Sequence, residues 1–95
     1  MAVYLISFDL DSPGQNYDKI GEAIKSYDTW AKILTTTFLI VADETAKDVR
    51  DYLIKFIDSN DKLFVAKLSG ETAWTGPFSK EITEWLKNNI VSANL

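Results

Sequence analysis

Residues Val3 to Leu10 read V-Y-L-I-S-F-D-L, and their pattern governs the fold of the whole chain. Because successive side chains of a β-strand point to opposite faces, a strand here divides its residues between two surfaces. One surface is wholly apolar and consists of Tyr4, Ile6, Phe8 and Leu10. The other turns polar towards the strand end and consists of Val3, Leu5, Ser7 and Asp9. The pattern predicts a strand that buries its apolar face and carries the Asp9 carboxylate at its tip.

Size and composition limit the classes of protein that the chain can belong to. With 95 residues, of which 46% are hydrophobic, it is long enough for one packed core and too short for two. It contains no cysteine and no histidine, which excludes disulfides, zinc sites built on thiolate or imidazole, and a histidine general base. Any bound metal ion would have oxygen ligands, as magnesium, manganese and calcium prefer.

The charge of the chain bears on its partners and its location. The net charge of -4 and the pI near 4.6 repel phosphate backbones and anionic membranes, so duplex nucleic acid is disfavoured as a partner. The sequence shows no signal-peptide-like start and no apolar stretch long enough to cross a bilayer. We therefore expect a cytoplasmic protein that does not bind membranes.

The remaining elements follow from apolar spacing and from capping residues. Two segments carry apolar residues at helical spacing, and the Ile, Thr, Phe and Val of residues 30–42 are typical of strands. In chain order we predict a turn at Asp11 to Gln15, a helix from the cap Asn16 to about Tyr27, two strands split around Leu34 to Thr36, a helix from the cap Thr45 to about Ile57, and a strand from Lys62 to Ser69.

This order of elements predicts an α+β fold, a ferredoxin-like βαββαβ sandwich whose antiparallel sheet has the strand order 4-1-3-2. Both helices would then cover one face of the sheet, and the first strand would lie near its centre. Because that strand runs antiparallel to its neighbours, Asp9 is expected near the beginnings of the third and fourth strands, at Thr36, Thr37 and Lys62.

The chain continues beyond these elements. We predict a single domain over residues 1–95, with a core at 1–69 and a C-terminal extension at 70–95. The extension begins with a loop from Gly70 to Pro77 and continues as a helix capped by Ser79, whose apolar side consists of Ile82, Trp85, Leu86 and Ile90. This side is expected to cover the open face of the sheet or the same face of a second subunit.

Several of these motifs occur together in one known family. They are a first strand ending in Phe8-Asp9-Leu10, an Asp-Ser-Pro-Gly turn, Trp30 before the second strand, the T-T-T-F-L-I region, and the late L-S-G-E-x-A-W-x-G segment from Leu68 to Gly76. The chain resembles the CRISPR-associated protein two superfamily, and its nearest branch is the small SinR-like proteins, which are related to VapD.

The resemblance implies a ferredoxin-like homodimer in which the end of the first strand faces its symmetry mate. It also implies that Asp9 binds a divalent metal ion, magnesium or manganese, for phosphodiester cleavage. Two features depart from the family. The acidic chain lacks an evident basic surface for nucleic acid, and the basic residues that follow the first strand in the relatives have no counterpart in Asp11 to Gly14.

Asp9 has two interpretations. It is a metal ligand and catalytic residue if the protein is a nuclease, in which case Lys62 or a metal-bound water would manage proton transfer. It is otherwise a strand-end aspartate that caps backbone N–H groups of the turn at residues 12–14. In either case Ser7, Asp9 and Asp11 are expected to face a second subunit.

Aromatic and hydroxyl side chains add further candidates for ligand binding or for the interface. Trp30 is expected at an interface or rim, whereas Trp74 lies in a loop, where a large ring is either an anchor into a partner or a lid over a ligand. Thr72 and Thr75 flank Trp74 and could donate hydrogen bonds to a small anion.

Three functions remain open from the sequence. The first is a homodimeric binding or regulatory protein that acts through its subunit interface on a small nucleotide or a partner protein. The second is a metal-dependent endonuclease for RNA or DNA that uses Asp9 at the dimer interface. The third is a component of a toxin–antitoxin pair. The lack of an ordinary general base favours binding over catalysis.

Overall fold

A computed structural model describes residues 1–11 and 17–90 of the chain. Across these residues it forms an α+β fold of four strands, three α-helices and one 3-10 turn. The elements are β1 (Ala2–Asp9), α1 (Tyr17–Ile24), β2 (Thr29–Leu34), β3 (Thr37–Ala42), α2 (Ala46–Leu53), the 3-10 turn (Ile54–Phe56), β4 (Lys62–Leu68) and α3 (Lys80–Asn89). The predicted Asn16 cap and most of the predicted turn before it lie outside the described residues.

The four strands form one antiparallel sheet in the order β2-β3-β1-β4. This is the predicted order, numbered from the opposite edge. In the two ladders of β1, Ser7 lies opposite Thr37 on β3, and Asp9 lies opposite Lys62 on β4. The predicted position of Asp9, at the start of the fourth strand, is therefore confirmed.

The apolar face of β1 lies in the main core. Tyr4, Ile6, Phe8 and Leu10 are buried beneath the two helices, together with Ile20 and Ile24 of α1 and Val49 and Leu53 of α2. Each fully buried side chain of this size contributes about 1.5–3 kcal/mol relative to leaving it in water. The alternation of β1 thus fixes which face of the sheet α1 and α2 cover.

Both helices end earlier than the sequence predicts. The α1 helix ends at Ile24 because the backbone N–H groups of Ser26 and Tyr27 donate to carbonyls three residues back, which tightens the chain into a turn. The α2 helix ends at Leu53 and continues as the 3-10 turn. Apolar spacing extends through both tightened turns, so it does not mark where the regular helix stops.

The second face of the sheet carries a smaller core. Val3, Leu39 and Leu86 are buried at its centre, and side chains of α3 and of the preceding loop surround them, including Trp74 and Trp85. The indole Nε1 of Trp85 donates to Oγ1 of Thr29 over 2.8 Å, which ties α3 to β2. The C-terminal segment therefore packs on the sheet of its own chain.

The hairpin between β2 and β3 matches the predicted split of residues 30–42. Its turn lies at Thr35 and Thr36, and Leu34 pairs with Thr37. The ladder shifts register between Lys32 and Leu34, as in a β-bulge. In the described part of the chain, each helix falls short of the length and apolar character needed to cross a membrane.

Candidate functional site

One corner of the second face lies outside its core. The side chains on this face form cross-strand rows between β1 and β4, which pair Val3 with Leu68, Leu5 with Ala66, Ser7 with Phe64, and Asp9 with Lys62. Val3, Leu5 and Leu68 belong to the core beneath α3, whereas the last two rows do not. We call these last two rows the strand-end patch: Ser7, Asp9, Lys62 and Phe64.

The strand-end patch carries an exposed aromatic ring. Phe64 is 65% exposed, although its strand neighbours Leu63 and Val65 pack against the main core on the opposite face. Its strand, β4, is the last strand of the described sheet, and β1 pairs with it on one side only. An edge strand presents backbone N–H and C=O groups that can pair with another chain. The patch thus combines apolar surface with an open strand edge.

Two charges of opposite sign lie beside this ring. Asp9 and Lys62 are exposed and occupy directly opposite positions in the β1–β4 ladder. They line an open hollow of about 360 Å³ together with Ser7 and Phe64. The hydroxyl of Ser7 is less free, because it hydrogen-bonds to Oγ1 of Thr37 over 3.0 Å.

The carboxylate of Asp9 does not by itself make a metal site. Within residues 1–11 and 17–90, no three histidine, cysteine, aspartate or glutamate side chains gather into a group that could hold a metal ion. A divalent ion at Asp9 would need further oxygen ligands from a second subunit or from a substrate phosphate. The turn that Asp9 would otherwise cap lies outside the described residues.

Asp11 contributes to the structure of the loop before β4. Its backbone N–H donates to Oδ1 of Asp61 over 2.8 Å, and its Oδ2 accepts from Nδ2 of Asn60 over 2.9 Å. Oδ2 of Asp61 in turn accepts from the backbone N–H of Asp58 over 2.7 Å. These bonds tie the end of β1 to the turn that begins β4, and Asp61 is a partner that the sequence did not reveal.

Trp30 lies far from the strand-end patch, on the strand at the opposite edge of the sheet. The Lys25 ammonium is 5.1 Å from the centroid of its indole ring, and the Phe38 ring centroid is 6.4 Å away. Both neighbours lie on the face of the sheet that α1 and α2 cover. The structure therefore separates Trp30 from Asp9.

Trp74 packs into the second core of its own chain. With Thr72, Leu5 and Leu86 it lines a small, nearly apolar hollow of about 120 Å³. Thr75 is exposed beside it. Trp74 therefore packs on the sheet of its own chain, and its roles as an anchor into a partner or as a lid over a ligand stay predictions.

The structure thus brings Ser7, Asp9 and Lys62 together and places the other predicted site residues elsewhere. It adds Phe64, which was not among the residues predicted from the sequence. Its sequence signal is its position, since it shares a face with Lys62 near the start of the strand. Neither known protein-family models nor solved structures match the chain, so its candidate site rests on its own residues and geometry.

Proposed function

We propose that this protein is a ferredoxin-like homodimer that acts by binding, and that its subunits meet through the strand-end patch. The observation that carries the proposal is the exposed phenyl ring of Phe64 on an edge strand, beside the opposite charges of Asp9 and Lys62. Large apolar side chains on exposed strand edges favour association with another chain.

A second copy of the chain is the partner that this surface fits. In a dimer with two-fold symmetry the same patch occurs on both sides, so it must complement itself. The patch contains one acidic and one basic residue at adjacent positions, and a two-fold axis can therefore place Asp9 of one subunit near Lys62 of the other. The two Phe64 rings would pack near the axis.

The two phenyl rings would supply part of the binding free energy of such a dimer. Burying the exposed part of two phenyl rings contributes up to about 1.5–3 kcal/mol for each ring. Aromatic residues at the centre of an interface carry much of its binding free energy, and surrounding contacts exclude water.

The ligand of the dimer is a small nucleotide or a partner protein. The resemblance to the SinR-like branch supports a dimeric assembly, and the acidic charge of the chain argues against duplex nucleic acid as the ligand. Binding as opposed to catalysis is supported by the absence of histidine and cysteine from the chain.

Sedimentation equilibrium tests the dimer. The wild-type protein should sediment as a dimer at micromolar concentration, and Phe64→Asp should sediment as a folded monomer because it places a charge in the interface. Leu34→Asp is the matched control, since Leu34 is 59% exposed on the opposite edge strand and should leave the dimer intact. A wild-type monomer, or equal effects of the two variants, contradicts the proposal.

Endonuclease activity is the second candidate function, and the exposed carboxylate of Asp9 in an open hollow favours it. If the protein is a nuclease, Asp9 would hold a magnesium or manganese ion. That ion would stabilise the negative charge that develops during phosphodiester cleavage. Wild-type protein and Asp9→Ala should be incubated with labelled single- and double-stranded RNA and DNA in each metal. Equal trace cleavage by both proteins eliminates this function.

A further inference from the structure

A second hollow lies at the other end of the sheet, where β1 begins and β3 ends. It has a volume of about 480 Å³, and its lining includes Tyr27, Asp28, Asp43, Glu44 and Tyr52. Pockets for small molecules commonly have volumes of about 300–1,000 Å³. The hollow is separated from the strand-end patch by the length of β1.

Two aromatic rings in this hollow are held in place by the fold. The rings of Tyr27 and Tyr52 lie at 89° to one another with their centroids 6.0 Å apart, and Phe56 packs against Tyr52 at 5.2 Å. The Tyr52 hydroxyl is 3.3 Å from Oγ of Ser26, which itself donates to the carbonyl of Ala23. These contacts preorganise the two tyrosines as an aromatic corner.

The charge around this corner is negative. Asp28, Asp43 and Glu44 line the hollow, and among the described residues that line it the one positive charge is the amino terminus of Met1. Burial and, to a smaller extent, the nearby Glu44, Tyr52 and Asp48 together raise the pKa of Tyr27 to about 12.

One of these rings already attracts an ammonium group. The Nζ atom of Lys55 lies 5.7 Å from the centroid of the Tyr52 ring, although Lys55 does not line the hollow. Aromatic faces attract ammonium and guanidinium groups, and clusters of aromatic rings recognise alkylammonium ligands. A carboxylate beside such a ring adds a charge-assisted hydrogen bond.

We propose that this hollow binds a small organic cation, an alkylammonium compound such as a polyamine. Its ammonium group would lie against the tyrosine rings and donate hydrogen bonds to the carboxylates of Glu44 and Asp43, and its methylene groups would cover the rings. An anion is disfavoured, because three carboxylates outweigh the single ammonium of Met1 in the lining. A bare metal ion fits poorly, because the described residues contain no group of three metal-ligating side chains.

Calorimetric titration of the full chain with spermidine at low salt tests the proposal, and tetramethylammonium and magnesium are titrated beside it. Spermidine should bind saturably at one site, and magnesium should not compete for that site at equal concentration. Glu44→Gln and Tyr27→Leu should each weaken spermidine binding by about tenfold. Glu81→Gln, on α3 across the sheet, is the matched control and should bind as the wild type does.

Three results would overturn the proposal: no saturable binding, magnesium binding at the same site with equal affinity, or equal weakening by Glu44→Gln and Glu81→Gln. Glu44→Gln is the decisive variant if Tyr27→Leu fails to fold, since it leaves the backbone carbonyl of Glu44 free to accept from the Tyr4 hydroxyl. The dimer is measured separately by sedimentation of Phe64→Asp, so failure of either proposal is visible without the other.

Discussion

Asp9 and Lys62 lie directly opposite one another on the adjacent antiparallel strands β1 and β4, and both side chains are exposed. An exposed pair of opposite charges across two strands contributes only about 0.2–1 kcal/mol to the stability of one subunit. Its larger effect would be on association, because charges at the rim of an interface select which surfaces meet.

A charge exchange tests that effect. Asp9→Lys alone and Lys62→Asp alone should each weaken the dimer by about tenfold, because each places like charges across the two-fold axis. The double variant should return to near the wild-type dissociation constant. Sedimentation equilibrium at low and high salt gives these constants, and losses that simply add in the double variant would show that the two residues do not meet across the axis.

The packing of α3 on its own sheet predicts a second result. Leu86 is 3% exposed at the centre of the second core, so Leu86→Ala should lower the free energy of unfolding by about 2–5 kcal/mol. Ile54→Ala, at a residue that is 49% exposed, should lower it by less than about 0.5 kcal/mol. Urea unfolding measures both.

The same experiment identifies which sheet α3 covers. The comparison is made in the Phe64→Asp background, where the proposed dimer is absent. If α3 packs within one chain, Leu86→Ala should cost this monomer as much as it costs the wild type, and the loss should vanish if α3 covers a second subunit.

The sequence predicts the main core well because one periodicity specifies it. A one-residue shift in the register of β1 would expose Tyr4, Ile6 and Phe8 to water, so their alternation leaves a single buried face. The sequence could not choose between the two locations of α3. An apolar helix face needs a partner surface, but its pattern is the same whether that surface belongs to its own chain or to another.

The candidate site was less predictable for a different physical reason. Whether a side chain is exposed depends on what the rest of the chain covers. Phe64 is exposed, although it occupies an alternating strand position just as a buried residue does. Trp74 shows the converse, since it lies in a loop yet packs into the second core. Strand pattern and topology therefore predicted that Asp9 and Lys62 lie together, but not that the ring of Phe64 beside them is exposed.

The start of α2 gives a third prediction. Oγ1 of Thr45 accepts from the backbone N–H of Asp48 over 3.1 Å, and the Asp48 carboxylate accepts from the backbone N–H of Thr45 over 3.2 Å. This reciprocal pair satisfies two N–H groups that the helix cannot pair itself. Thr45→Ala should lower the free energy of unfolding by about 0.5–2 kcal/mol. Thr45→Ser keeps the capping hydroxyl and should therefore be nearly as stable as the wild type. Equal losses in urea unfolding would contradict a role for the hydroxyl.

Tyr27 gives the fourth prediction, which concerns alkaline pH. Because burial and the charges of Glu44 and Asp48 raise its folded-state pKa from 10.0 to about 12, the folded protein holds this proton more tightly than the unfolded chain does. The resulting stability is fully present below pH 10 and is lost as the pH rises through 12. In Tyr27→Phe that loss should be absent.

Urea unfolding of both proteins at several pH values gives the difference in their free energies of unfolding, which should be constant below pH 10 and should fall above it. A difference that stays constant up to pH 12 would show that the pKa of Tyr27 is not raised in the folded protein. Near-UV absorbance of tyrosinate provides an independent readout of tyrosine ionisation.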